Sequence, residues 1–330
     1  MRFEVHLTNQ AMARDPKLLQ PAPTKENICA VVVTYFPDEG FPNRLSRTHM
    51  QVMHVVVVDN ASDEETFKHV QTVLSETRID VIRNSENLGI ATALNQGVQW
   101  ALNKGYKWVL LLDQDTVSSQ DMVPTLIRAY EEFPDKGRLA IIGSNRFSNS
   151  DPDDRPSTNA EWWTVSKMVI TSGTLLRLEA ARMIGPFRDE FFIDCVDFEF
   201  CLRARIMGFR IVEILEPIME HFIGSPKSVR LLWKKIETFN HRPWRLYYRM
   251  RNFVVLVREY VFEDSEWVLS ELYAQIKSVT LTLLVEKSRI QKAKYMTLGL
   301  YDGFIGRFDR TVGRNAALSG KITDERNPQC

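Results

Sequence analysis

Order in the chain begins at Ile28. Ile28 to Tyr35 (ICAVVVTY), Val52 to Val58 (VMHVVVV) and Lys107 to Leu112 (KWVLLL) are unbroken apolar runs, and Asp80 to Arg83 (DVIR) is a weaker one. Runs this short, rich in β-branched residues, predict strands rather than buried helices. They do not alternate with polar residues, so both faces are covered and the sheet is mainly parallel. Helical patterns lie between them. Glu64 to Ser75 puts Phe67, Val70, Val73 and Leu74 on one stripe, and Ile90 to Leu102 spaces Ile90, Ala93, Leu94, Val98 and Ala101 by threes and fours. Alternating strand and helix predicts a doubly wound α/β fold, which takes its ligands beyond the C-terminal ends of the strands.

Further along, a helix capped by Ser118 or Ser119 runs to about Phe133, and a strand covers Leu139 to Gly143. Asn145 to Pro156 is a polar loop, Val165 to Thr171 reads as a strand and Ala180 to Ile184 as a short helix. Residues 1–27, with three prolines and little periodicity, read as a loose arm. After Pro217 the chain turns aromatic, basic and helical as far as about Gly306. These changes divide it into an arm (1–27), an α/β domain (28–224) and a helical C-terminal region (225–330).

Charge narrows the field. The 330 residues hold 42 basic and 42 acidic side chains, so net charge points to no nucleic-acid partner. The balance is uneven, however. From His221 onward there are 19 Lys/Arg against 11 Asp/Glu, and His221 to Arg258 alone holds nine basic residues and one Glu. Interleaved with Leu231, Leu232, Trp233, Trp244, Tyr247 and Tyr248, this is the composition of a segment lying on an anionic membrane, or of one pairing with the acidic first half. Trp267 to Val285 is the best spanning candidate, but Glu271 and Lys277 interrupt it. Residues 1–26 lack the apolar core of a secretory signal, and the four cysteines form neither a CxxC pair nor metal spacing. A cytoplasmic protein, peripheral on the inner face of the cell membrane, is the expectation.

Candidate chemistry collects at strand ends. The first strand closes on Thr34-Tyr35, the second on Asp59-Asn60-Ala61-Ser62-Asp63 and the fourth on Asp113-Gln114-Asp115-Thr116. In a parallel sheet these ends share one edge. Asp59 alone reads as a cap or turn residue. Asp113 and Asp115 flank one residue, and two neighbouring carboxylates repel unless a proton or cation lies between them. Hard oxygen donors favour Mg2+ or Mn2+, which also hold phosphate oxygens. A second acidic group, Phe191 to Arg203 (FFIDCVDFEFCLR), carries Asp194 and Asp197 near a helix start at about Val196, with Glu199 and Arg203 four apart. Asp197 there is either a residue favoured by the helix start or a general base over the crevice. His221, in Glu220-His221-Phe-Ile-Gly224, is the histidine nearest these motifs.

Taken together and in order, VVVTYFP, VVVVDNAS, Asn84-Ser-Glu-Asn87-Leu-Gly89 with Asn95-Gln-Gly97, LLLDQDT, Thr171-Ser-Gly173, FFIDCVDFEFCLR, EHFIG and Tyr247-Tyr-Arg-Met-Arg251-Asn252 resemble glycosyltransferase family 2, most closely its bacterial rhamnosyltransferase branch. The resemblance covers about Ile28 to Asn252. It implies a GT-A fold and inverting transfer of L-rhamnose from dTDP-L-rhamnose, or of another sugar from a nucleotide donor such as a UDP-linked hexose or galactofuranose. The implied acceptor is a glycan or lipid-linked hydroxyl in cell-surface polysaccharide or glycolipid synthesis. By analogy Asp59, with Thr34 nearby, would meet the base, and Asn87 and Gly89 would shape the nucleotide site. Gly173 and Arg251 would line the donor, Asp113 would lie near the ribose and metal, Asp115 would bind the metal and His221 would complete it. Asp197 matches the family's base. Val196 replaces the Glu that precedes that base in relatives, so Asp194 is an alternative base or acceptor contact. Two other readings compete. LLLDQDT also fits the opening motif of haloacid-dehalogenase-type phosphatases, with Asp113 as phosphoryl acceptor and Asp115 as acid/base. The third is a non-catalytic sugar- or lipid-binding module.

Overall fold

The computed structural model describes residues 17–19, 21–72, 78–145, 162–220, 227–231, 234–238 and 240–312, the stretch 227–238 by its backbone alone. The first half is built as the periodicities predict. Strands β1 (Ile28–Thr34), β2 (His54–Asp59), β3 (Ile79–Arg83) and β4 (Trp108–Asp113) alternate with helices α1 (Phe41–His49), α2 (Glu64–Gln71) and α3 (Ile90–Asn103). Every residue of β1 is buried. Val31 and Val33 pack with Ala91 and Leu94 of α3 on one face, and Val32 packs with Phe41 and Leu45 of α1 on the other. Two-sided burial is why these strands read as continuous apolar runs.

The register fixes the functional edge. In the parallel ladder β1 pairs Thr34 with Asp59 of β2, and Val33 with Asp113 of β4. The three polar strand ends therefore stand side by side at one rim of the sheet.

Beyond β4 the sheet departs from expectation. Its order is β3-β2-β1-β4-β8-β6-β9-β7, with β6 at Leu139–Gly143, β7 at Trp163–Val165, β8 at Thr174–Arg177 and β9 at Arg210–Ile214. β8 runs antiparallel to both β4 and β6, and β7 to β9, so the mostly parallel sheet that the sequence predicts carries two reversed strands. The strand expected over Val165 to Thr171 ends at Val165, and the chain then turns into β8. That turn places Gly173 at the rim, its N–H donating to Leu111 O at 2.8 Å. Two-residue strands β5 (Val117–Ser118) and β10 (Met219–Glu220) pair outside the main sheet. Ser118 is thus a strand residue, and the following helix α4 (Met122–Glu132) starts later than expected. α5 (Leu178–Ile184) and α6 (Val196–Ile206) cover the face that carries α3.

The C-terminal region is not helical from Pro217. A hairpin of β11 (Lys227–Leu231) and β12 (Lys234–Thr238) precedes helices α7 (Pro243–Tyr260), α8 (Ser265–Val285) and α9 (Arg289–Ile305). α7 and α9 cross closely. A Cβ at Gly299 would meet Tyr247 O at 2.2 Å, and one at Gly303 would meet Arg251 O at 2.5 Å, so the crossing requires glycine at both. The end of the N-terminal arm is not loose. Leu18 is buried, its N–H donates to Gly137 O at 2.7 Å, and Pro21 O accepts from the Trp108 indole at 3.0 Å.

Candidate active site

The end of β2 is a braced turn. Asp59 is fully buried, and its carboxylate accepts from Thr34 Oγ1 (2.9 Å), Ser62 Oγ (2.6 Å) and Ser62 N (3.1 Å), with Arg83 Nε at 3.8 Å. These are the bonds of a turn residue, the simpler of the two readings of Asp59. Asp63, four residues on, caps α2 by accepting from Thr66 N at 2.9 Å. Asn60 reaches across to the next loop: its Nδ2 donates to Asn87 Oδ1 (2.9 Å) and to Gly89 O (3.1 Å), and Leu88 N donates back to its Oδ1 (3.0 Å). Gly89 has φ +85°, and a Cβ there would stand 2.6 Å from Phe192 O. This close approach lets Ile90 N donate to Phe192 O at 2.7 Å. The Asn87–Gly89 loop is thereby locked to the segment that carries Asp194 and Asp197.

At the end of β4, Asp113 and Asp115 are half-buried while Gln114 between them is buried. Gln114 holds the motif in place: Tyr35 N donates to its Oε1 at 2.7 Å, its Nε2 donates to Tyr35 O at 3.1 Å, and Arg44 Nε donates to its main-chain oxygen at 2.8 Å. Behind it, Asp113 N donates to Ser172 Oγ at 3.1 Å, and Ser172 shares a 2.5 Å hydrogen bond with Thr116. Two hard carboxylates on a rigid turn suit a small divalent cation. Mg2+ takes one or two protein carboxylates and completes its shell with phosphate oxygens and water. Among the described residues no three His, Cys, Asp or Glu side chains come together as a metal cluster. His221, the expected third ligand, lies outside the described residues.

The third component is the turn before α6. Phe192, Asp194 and Cys195 all adopt left-handed backbone (φ 61°, 63° and 63°), a conformation that side chains disfavour by about 1–3 kcal/mol each. Helix α7 holds it there. Asn252 Nδ2 lies 2.9 Å from Phe191 O, 2.9 Å from Ile193 O and 2.8 Å from Asp194 O, and Arg251 Nη2 donates to Glu190 O at 2.5 Å. Arg251 is 1% exposed and stacks on Tyr248 at 4.9 Å. It therefore does not face the donor, as the resemblance implied; its N–H groups are spent on the turn.

The two candidate bases separate clearly. Burial pushes the Asp194 carboxyl up, but Arg245, which grips both its oxygens at 3.0 Å, outweighs this and holds it below the usual carboxylate range. A carboxylate so held accepts a proton poorly, which corrects its reading as the alternative base. Burial pushes Asp197 the other way, to about 7, and the charges of Asp194 and Asp113 add to the effect against the N–H that Phe198 donates to Oδ1 at 2.9 Å. Beside Asp197 is a cavity of about 20 Å³ walled by Leu111, Ile141, Val169 and Phe200, room for one water in apolar surroundings. Asp113, at the end of β4, is near enough to Asp197 for its charge to add to the shift. Glu199 and Arg203 pair at 2.8 Å as their spacing predicts, with Glu199 buried and accepting from Tyr260 Oη at 3.0 Å, so their role is structural.

Sequence reasoning missed Gln114, Ser172, Arg245 and Asn252. Their partners lie 79, 59, 51 and 61 positions away (Tyr35, Asp113, Asp194 and Phe191), so no local spacing announces them. Of the basic, aromatic stretch from His221 to Arg258, the structure describes side chains only from residue 240 onward. Within α7, Tyr247 and Tyr248 are buried, Arg249 donates to Gln275 Oε1 (2.9 Å) and Arg258 to Phe304 O (2.7 Å). Those residues pack α7 into the protein rather than presenting it to a surface.

A family model described as Glycosyl transferase family 2 matches residues 16–183. The chain is 30% identical to the dTDP-rhamnosyl transferase RfbF of Shigella flexneri over 297 residues, 85% of this chain and 96% of that one. Among solved structures, the mannosyltransferase PcManGT from Pyrobaculum calidifontis, in complex with GDP-Man and Mn2+, superposes with a TM-score of 0.52 at 14% identity, covering 90% of this chain and 91% of that one. TarS 1–349 of S. aureus in complex with UDP gives 0.47 at 14% identity, covering 90% and 76%. The fold is the GT-A fold. The family match spans the Asp113–Asp115 motif, which removes the phosphatase reading of LLLDQDT.

Proposed function

The chain belongs to glycosyl transferase family 2, and from that premise we propose that it transfers L-rhamnose from dTDP-L-rhamnose, with inversion, to a hydroxyl of a glycan or lipid-linked acceptor in cell-surface polysaccharide or glycolipid synthesis. One observation carries the mechanism: a carboxyl group raised to about 7, Asp197, stands within electrostatic reach of the Asp113–Asp115 end of β4. Inverting transfer is a single in-line displacement. The acceptor oxygen bonds to the anomeric carbon, the bond from that carbon to the diphosphate oxygen breaks, and the acceptor proton goes to a base. Asp197 takes that proton, and its raised pKa makes it a stronger base than an ordinary carboxylate. Asp113 and Asp115 would hold Mg2+ or Mn2+, which stabilises the charge growing on the leaving diphosphate. Thr34, Asp59, Asn87, Gly89 and Gly173 shape the rim on which the nucleotide lies. Asp194, fixed by Arg245, remains charged beside the base and presents a fixed acceptor to an incoming hydroxyl.

The donor rests on the 30% identity to the rhamnosyl transferase. The test is a donor screen read by nucleoside diphosphate release, with dTDP-L-rhamnose against UDP-glucose and UDP-galactofuranose, each with Mg2+ or Mn2+ and with chelator. Turnover of dTDP-L-rhamnose at least tenfold above the others is expected. Preference for a UDP sugar would overturn the donor while leaving the mechanism standing.

A further inference from the structure

Helix α8 is inside out. Its inward positions include Gln275 and Thr282, both buried, followed at its end by buried Glu286, while Leu269, Leu272, Tyr273, Ile276 and Leu284 face outward at 62%, 37%, 73%, 57% and 58% exposure. The outward residues recur at spacings of three, four and eight and form one stripe. Exposed Ile290, Tyr301 and Phe304 on α9, and Phe262 in the turn before α8, add to the same apolar character. A soluble surface scatters such residues; a contiguous set on one element marks a face that meets something apolar.

We propose that the outer face of α8, with α9, docks the enzyme on an anionic lipid bilayer, α8 lying in the plane of the headgroups. Three observations select this occupant. First, α8 is about 31 Å long and apolar enough to cross a membrane by composition, yet both its ends are tied to the protein body. Asp264 at its start pairs with Arg205 of α6, and the buried Glu286–Lys292 pair (2.5 Å) at its end bonds onward to Asn240. The helix therefore lies along the body rather than spanning. Second, the charges complement anionic headgroups. From Phe262 to Arg310 there are seven Lys/Arg and seven Asp/Glu, but four of the acids, Asp264, Glu266, Glu286 and Asp302, are paired with Arg205, Lys167, Lys292 and Arg310, which leaves Lys277, Lys287, Arg289, Lys294 and Arg307 against Glu263, Glu271 and Asp309. Third, exposed Lys277 falls within the apolar stripe. Lysine is depleted from the core of protein interfaces, whereas at a bilayer its alkyl stem lies among the apolar residues and its ammonium reaches the phosphates. The docking surface thus lies on α8 and α9, whereas α7, the described helical part of the basic segment, is packed inward.

The inference does not depend on the donor, because the test needs neither donor nor acceptor. Full-length protein is floated with phosphatidylcholine vesicles, with or without one third phosphatidylglycerol, at low and high salt. Flotation with the anionic vesicles is expected, at least tenfold weaker on the neutral ones and weakened by salt. The combined Leu272→Ser, Tyr273→Ser and Ile276→Ser variant should lose at least tenfold of the binding, as should Lys277→Glu with Lys287→Glu, which leaves the apolar stripe intact. All five positions are exposed, so both variants should keep the wild-type melting temperature. Absence of the wild type from floated anionic vesicles at low salt would overturn the proposal, as would equal binding to neutral ones. So would a dimer in sedimentation velocity that the triple serine variant splits, because the face would then belong to a second copy.

Discussion

Replacing Asp197 by Asn should make the protein more stable and inactive at once, with the stability gain growing as pH rises from about 4 to about 7 and constant above. The folded structure raises the Asp197 carboxyl from 3.8 to about 7. Below about pH 4 the group is protonated in both the folded and unfolded chain and contributes nothing. As pH climbs from about 4 to about 7, the unfolded chain releases the proton while the folded one retains it, so stability falls. Above pH 7 the folded protein carries the full cost of a buried charge facing Asp194 and Asp113. Three pKa units at 1.36 kcal/mol each put that cost at about 4 kcal/mol. The Asn amide has the same shape, keeps an oxygen for the Phe198 N–H and carries no charge. Melting curves without divalent cation at pH 4.5, 6 and 8 should show the variant level with wild type at the lowest pH and several degrees higher at pH 8. Transfer should fall by at least about 10²-fold, the low end for general-base catalysis. A variant that melts at or below wild type at pH 8, or whose gain is the same at every pH, would refute the account of Asp197 as a destabilised, poised base.

Four further outcomes follow from the same geometry. Asp115→Ala should cut transfer by orders of magnitude with the melting temperature nearly unchanged, and excess EDTA should do the same to wild type; full activity in EDTA would remove the cation from the mechanism. Wild-type turnover at saturating donor should rise as pH passes through about 7, where Asp197 loses its proton, and Asp194→Asn should leave that limb in place, because burial and Arg245 fix Asp194 in its charged form. Asn252→Leu removes the amide that braces three carbonyls of the 191–194 turn, and should cost about 2–3 kcal/mol by denaturant titration and lower turnover together with stability. Gly299→Val should prevent α7 and α9 from closing and should yield little soluble protein, since its Cβ would stand 2.2 Å from Tyr247 O.

The half of the fold that could be read from sequence is the half built from local patterns. β1, β2 and β4 announce themselves because burial on both faces demands unbroken apolar runs, and α3 because one face carries its small apolar residues. The strands that were missed or misplaced are those whose partners are distant. β8 pairs with both β4 and β6, so its four residues look like any short apolar stretch, and β5 exists only because β10 comes back to it some hundred residues later. The same distinction governs the site. Asp113, Asp115 and Asp197 were visible as residue types at strand and helix ends. What separates Asp194 from Asp197 was not, because it is set by Arg245, 51 positions away.

The described part of the C-terminal region shows why composition is weaker evidence than facing. Between His221 and Arg258, Lys and Arg mixed with Trp and Tyr have the residue content of a membrane-surface segment. In α7 residues of this kind are turned inward, where guanidinium groups satisfy backbone oxygens and stack on rings, and one of them, Arg251, braces the turn that carries Asp194 and leads into α6. α8 gives the opposite lesson. Glu271 and Lys277 interrupt its apolar run, yet its outer face holds five of the large exposed apolar side chains among the described residues. An arginine is a surface residue only if the fold has no carbonyl to offer it, and a leucine is a core residue only if the fold has somewhere to put it. In this chain Arg251 is offered the Glu190 oxygen and Arg258 the Gly303 and Phe304 oxygens of α9, while Leu269, Leu272 and Leu284 of α8 stay exposed on its outer face.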